Sequence, residues 1–235
     1  LGTFDTEFSI SKSYFLNALT EAEAIWEKPQ GDYKGKELFI YKEASKKDNA
    51  LKINLIYDYR QQATSKLASL GIVVEDNRAS YDSLKIKFTE LKAKLEIAKS
   101  NYDREVKSFN EQQKSYEEQV RYWNANGGVP KKEYDKLQEE KSALEAQVSQ
   151  LQTLQTKING MVEEINALVV ALNRLVGILN LSVDKYNTVG ASRGESFEEG
   201  VYAENGLSRE IDIYEFSSRG KLVRVLAHEL GHALG

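Results

Sequence analysis

The sequence predicts an α+β domain interrupted by a long antiparallel two-helix coiled-coil hairpin, and three observations carry that expectation. Apolar and aromatic residues recur every seventh position through the middle of the 235-residue chain, in two successive runs. Short alternating apolar segments flank those runs on both sides. The chain closes on an amphipathic stretch that holds its only two histidines. Composition agrees, since 29% charged residues with only two prolines favour long solvated helices over a sandwich or a disordered tail.

The first run is Leu67, Val74, Tyr81, Phe88, Leu95, Tyr102, Phe109, Tyr116 and Trp123. Its companion positions, Leu70, Asn77, Leu84, Leu91, Ala98, Glu105 and Gln112, turn polar towards the end, so the distal part is expected to pack less tightly. The second run is Leu137, Leu144, Leu151, Ile158, Ile165, Leu172, Leu179 and Tyr186, partnered by Val148, Val162, Val169, Val176 and Val183. Leu154, Met161, Leu168 and Leu175 widen its apolar face. Between the runs, Asn124 to Pro130 includes Gly127 and Gly128, a short connection that specifies an antiparallel pair.

Ahead of the repeats, Ser11 or Ser13 can cap a helix with apolar positions Phe15, Ala18, Leu19, Ala22, Ile25 and Trp26, ending near Pro29. Leu38 to Tyr41 and Leu51 to Tyr57 read as strands. Beyond the repeats, Gly200 to Ala203, the turn signal Asn205-Gly206 and Ile211 to Phe216 suggest a hairpin or two adjacent strands. A last helix begins near Ser217 or Ser218. Residues 1–66 and 187–235 are thus two parts of one α+β body, and residues 67–186 an inserted arm.

Several function classes drop out. The chain has no cysteine, which removes thiol nucleophiles, disulfides and Cys-ligated metals. A formal charge of −4, with basic residues between Lys85 and Lys107 interleaved with acids, argues against nucleic-acid binding. The most apolar stretch, Ala167 to Leu181, is broken by Asn173, Arg174 and Asn180 and falls short of the ~20 apolar residues of a membrane span. No start methionine opens the chain, so Leu1 reads as a processed or cloned boundary.

The chemistry is expected in the last eight residues, His228-Glu229-Leu230-Gly231-His232-Ala233-Leu234-Gly235. Two histidines four apart on a helix share one side, one turn above the other, so both imidazoles can reach a single zinc ion. Glu229 is offset beside them, where it can take a proton from a metal-activated water. Leu222, Leu226, Leu230 and Ala233 fall on the opposite face, which gives the helix a metal edge and a core edge.

These eight residues resemble the motif of the metzincin zinc metallopeptidases, most closely their matrixin-like branch. The resemblance implies a metzincin-like N-terminal subdomain, Zn2+ as cofactor, His228 and His232 as ligands, Glu229 as general base and Gly235 as a turn glycine. It also implies a peptide or protein substrate lying along an edge strand, for which Ile211 to Phe216 is the candidate, and work outside the cell or at its surface. The family pattern continues to a third histidine and a Met-turn. Here the sequence stops at Gly235 and its one methionine is Met161. The chain therefore reads as a fragment, inactive as it stands, whose third ligand lies further on. The rival expectation is a non-catalytic coiled-coil interaction or spacer protein on a small α+β body, with a protein partner or a second copy bound through the arm.

Overall fold

In sequence, strands and shorter helices occupy the two ends of the chain, with two long helices between them. The computed structural model describes residues 1–27, 38–40, 50–179, 198–206 and 208–235. By contacts the chain divides into two compact units, Leu1–Tyr81 with Ala167–Gly235, and Asp82–Asn166.

In the first unit, α1 (Lys12–Glu27) begins where the Ser11 hydroxyl accepts the Tyr14 N–H at 3.0 Å, so Ser11 rather than Ser13 is the cap. Phe15, Ala18, Leu19 and Ala22 are buried as the helical period requires, whereas Ile25 is largely exposed. Among the described residues the sheet has three strands, β1 (Leu51–Leu55), β2 (Gly200–Asn205) and β3 (Ser208–Ile213), in the order β1-β3-β2. β2 and β3 form an antiparallel hairpin, with Gly206 at a φ of 64° after Asn205. β1 runs parallel to β3. A parallel pair needs a crossover, and here the crossover contains both long helices.

The middle strand is therefore β3. This corrects the expectation that Ile211 to Phe216 is the edge. Ile211 and Ile213 have no exposure, while β2 grades from buried Gly200 to exposed Ala203, Glu204 and Asn205, the profile of an edge. The outer side of β1 is occupied by the N-terminal segment. Gly2 N–H donates to the Ile53 carbonyl at 3.0 Å and Leu55 N–H donates to the Thr3 carbonyl at 2.9 Å. Among the described residues no strand pairs with the outer edge of β2. Of the strand expected at Leu38 to Tyr41, residues 38–40 are in no strand and Tyr41 lies outside the described residues, as do Pro29, Leu181, Val183 and Tyr186.

An unanticipated helix, α2 (Tyr59–Ser69), follows β1, capped by Asp58, whose carboxylate accepts the Arg60 N–H at 2.9 Å. It changes where the heptad run begins. Leu67 is buried on α2, Gly71 turns the chain at a φ of 71°, and Val74 is not helical. The next helix, α3 (Arg78–Ala125), starts where Asn77 Oδ1 accepts the Ser80 N–H at 2.8 Å. α4 (Lys131–Ile178) and α5 (Arg219–Leu234) are the later helices of the described residues, and α5 packs against α1 and across β2 and β3. Together α1, α5 and the inner face of the sheet bury Phe8, Phe15, Leu55, Ile211, Ile213, Leu222, Leu226 and Leu230.

A charged cluster built on buried Arg174 and Glu215 lies just past the end of β3. Arg174 of α4, 3% exposed, donates through Nη1 to both Glu215 oxygens at 3.1 and 3.2 Å and through Nη2 to Asp76 at 3.3 Å. Asp76 also meets Lys221 and Arg224 of α5. Thr64 of α2 donates to Glu215 at 2.8 Å, and Gln61 accepts the Phe216 N–H at 3.0 Å. The cluster ties α2, α4 and α5 to the end of β3.

In the second unit, α3 and α4 lie side by side and antiparallel, joined through Gly127 and Gly128, whose φ values of 86° and 113° need glycine. Gln147 donates to Gln112 at 2.8 Å, Gln119 donates to Glu140 at 3.0 Å, and Lys87 pairs with Glu164 at 3.5 Å. The run from Leu137 to Ile165 faces inward. Its companions differ from the expected valines: Val148 and Val162 are exposed, and the positions facing inward are Leu154 and Met161, three residues on from Leu151 and Ile158. Leu95 and Leu137 are the only buried side chains between positions 89 and 166, all of which are described, consistent with a loosely packed distal part.

Burial raises the Glu215 carboxyl above its ordinary value of 4.5, outweighing the pull of Arg174 and Thr64, and nearby Glu199 pushes the same way. Just above that value the folded protein keeps a proton the unfolded chain has lost, so stability falls as pH rises through the window up to the raised value. Glu215→Gln is expected to flatten this decline. Urea titrations from pH 4 to 7 check it, and a wild-type slope retained in the variant contradicts it.

Candidate metal centre

α5 follows a sharp entry at Ser218, whose hydroxyl accepts the Lys221 N–H at 3.3 Å. Its inward stripe is Leu222, Val225, Leu226 and Leu230, so the register left over for solvent carries Arg224, His228 and His232. The two histidines stand together as their spacing predicts. Their Nε2 atoms are 3.2 Å apart, with ring centroids 4.7 Å apart and ring planes at 89°. At this distance one imidazole N–H can donate to its neighbour's lone pair. The separation also suits metal binding, since bonds of about 2.0–2.1 Å to a tetrahedral zinc ion set two ligand nitrogens about 3.3 Å apart. Neutral imidazoles are zinc donors, and the pair fits two of its positions. Among the described residues no group of three or more His, Asp or Glu side chains comes together as a metal site.

Glu229, between the exposed histidines in sequence, is 5% exposed. It lies against the start of β2. A Cβ built on Gly200 would come within 2.8 Å of Val225 Cγ1 and 3.1 Å of Glu229 Cγ, so the helix approaches the strand at a distance only glycine permits. The Glu199 carbonyl accepts the Tyr214 N–H at 2.9 Å, which fixes the alternation of the ladder. Odd-numbered residues of β2 bond to β3, and Gly200, Tyr202 and Glu204 direct their backbone groups to the open edge. The Tyr202 N–H is taken by the Glu229 carboxylate.

Burial raises the Glu229 carboxyl above the ordinary range, and Glu198 pushes the same way. His228, the Tyr202 N–H and His232 oppose the shift. A cleft of about 360 Å³ opens beside Glu229, walled by Ile178, Glu198, Glu199, Gly200, Arg224, Val225 and His228. His232 stands outside that wall. Arg224 reaches Asp76 at 3.4 Å and Glu199 at 3.3 Å, so the cleft's cation is already neutralised by two carboxylates. A larger hollow of about 730 Å³ is walled by Asn101, Arg104, Gln147, Leu151 and other residues of α3 and α4, and it includes none of these groups.

The sequence picked out His228, Glu229 and His232, and all three adjoin one another as a consequence of their helix. It missed Gly200 and Tyr202. The signal for Gly200 was the glycine itself, at the start of a segment read as strand. Comparison of the chain with protein-family models, with curated proteins and with solved structures found no match, so the reading of this site rests on its residues and their geometry.

Gly200→Ala forces a methyl group into the contact with Val225 and Glu229. It is expected to cost about 1–3 kcal/mol, the usual range for overpacking, read as a lower urea midpoint with unchanged m-value. A variant as stable as the parent contradicts the close approach.

Proposed function

We propose that this chain carries the zinc-binding helix of a metalloendopeptidase, with His228 and His232 as ligands and Glu229 as general base. The observation that supports it most is the pair of solvent-facing Nε2 atoms 3.2 Å apart on the helix that also carries buried Glu229 at a cleft. A zinc ion held by the histidines would supply Lewis acidity and bring a water molecule's pKa towards neutrality. The chain's own residues do the rest. Glu229, oriented by the Tyr202 N–H, accepts a proton at its carboxylate and passes it to the leaving amine. Its low exposure shields the proton it carries between the two transfers from bulk water. The open edge of β2 offers the outward backbone groups of Gly200 and Glu204 to an extended peptide, which would align as an added strand beside the cleft. In this reading the body is a metzincin-like N-terminal subdomain and the paired helices an inserted coiled coil.

The second reading is a non-catalytic interaction or spacer protein. It draws support from the exposed apolar side chains of the long helices, Ile86, Ile97, Tyr122 and Tyr134 among them, which a partner could cover.

A zinc titration by chelator competition at neutral pH separates the two. One-to-one binding that His228→Ala loses and Glu229→Ala keeps is expected. For protein that hydrolyses a peptide, Glu229→Ala is expected to lower kcat at least about 100-fold with zinc still bound. Hydrolysis that survives in Glu229→Ala removes the general-base assignment, and binding indifferent to His228→Ala removes the metal site.

A further inference from the structure

α5 carries the histidine pair in its last two turns. Leu230 is the last buried side chain of the helix, and the residues after it are partly or fully exposed. That final stretch carries His232, one member of the pair. A side chain of α1 bears on it. Trp26, next to last in α1, donates its indole N–H to the Ala227 carbonyl at 2.7 Å. Ala227 directly precedes His228, and within a helix its carbonyl also receives the Gly231 N–H one turn on. The indole ring lies over Gly231. A Cβ placed there would come within 2.5 Å of Trp26 Cζ2 and 3.1 Å of Cη2, so only glycine admits the ring against the backbone. Trp26 thus grips the turn at the residue before each histidine, on a side distinct from the exposed imidazoles.

We propose that Trp26 is the positioning residue of the His228–His232 pair, and that Gly231 stands between the histidines to admit it. The inference rests on the zinc reading for its consequence, but its geometry is independent of any metal. The indole bond fixes the height of the turn and the ring fixes its rotation. Together they hold the two Nε2 atoms at a separation that zinc can bridge. Ala227 is already buried and helical, so the indole adds alignment to a helix the core has already formed. A glycine within a helix is otherwise an unfavourable choice, and the ring contact supplies its reason.

The test compares the full chain with Trp26→Phe, which keeps an aromatic ring and removes the N–H, and with Gly231→Ala, which displaces the ring. Three quantities are read on each: the melting curve, zinc affinity by chelator competition, and the nuclear Overhauser contact between the two imidazoles with amide exchange at Gly231 and His232. For Trp26→Phe the expected result is a cooperative melt close to the parent's, zinc affinity weaker by roughly 10-fold or more, a lost or weakened imidazole contact and faster exchange confined to the last turn. A merely structural role would lower the melting temperature and leave the folded protein's zinc affinity unchanged, and that outcome overturns the proposal. So does a Trp26→Phe protein whose imidazole contact and exchange match the parent. If the parent itself fails to bind zinc, the metal reading falls, and the imidazole contact still decides whether Trp26 positions the pair. Should Gly231→Ala not fold, Trp26→Phe carries the decision alone.

Discussion

The constraint on which the rest depends is that one helix must be buried on one side and chemically available on the other. α5 sinks Leu222, Leu226 and Leu230 against α1 and the sheet, and that burial fixes its rotation within narrow limits. With rotation fixed, the helical repeat decides which residues reach solvent, and His228 and His232 are among them. Glu229 falls on the flank, where it meets the strand rather than the solvent. Other features of the body can be read as ways of holding this arrangement still: Gly200 lets the strand come close, Ser218 sets where the helix starts, and the turn beyond Leu230 is braced from α1.

Charge does at the helix's start what apolar packing does along its middle. Asp76 receives Lys221 and Arg224 from α5 and Arg174 from α4, while Arg174 also satisfies Glu215 at the end of β3. Buried ion pairs are weak contributors to net stability, because desolvation consumes most of their Coulombic gain. They are strict about geometry, since losing one partner strands the other in a low-dielectric interior. The cluster is better understood as a device of register than of strength. It sets where the first turns of α5 sit relative to the root of α4 and the end of the sheet.

Where sequence periodicity was long and chemically pure, it could be read directly. α1 with its buried Phe15, Ala18, Leu19 and Ala22, the two long helices with the glycine turn between them, the hairpin at Asn205-Gly206 and the final helix all follow from local pattern. The misreadings share a cause, which is that local pattern does not specify neighbours. Leu67 fits a heptad with Tyr81 and Phe88, yet Gly71 and the Asn77 cap break the chain between them, and only the packing of Leu67 on α2 decides the matter. Ile211 and Ile213 alternate like any half-buried strand, and nothing in their spacing says that β1 pairs on their far side. Val148 and Val162 sit one residue away from the inward stripe, a difference of about 100° on a helix that hydrophobicity alone leaves ambiguous. In the site, the histidines and the glutamate were legible because their chemistry is carried by residue type at fixed spacing. Gly200, Tyr202 and Trp26 act through shape or backbone, and such roles become visible only in three dimensions.

The covering of β1 by residues Gly2 to Asp5 has a consequence for how this sheet can meet other chains. With that side sealed among the described residues, strand-by-strand growth has one direction left to it, along β2. That is also the strand whose outward Tyr202 N–H is held by Glu229. A second copy that extended the sheet there would take the place in which an added peptide strand would lie, at the rim of the cleft. Self-assembly through this edge and peptide binding along it would therefore draw on the same row of backbone groups.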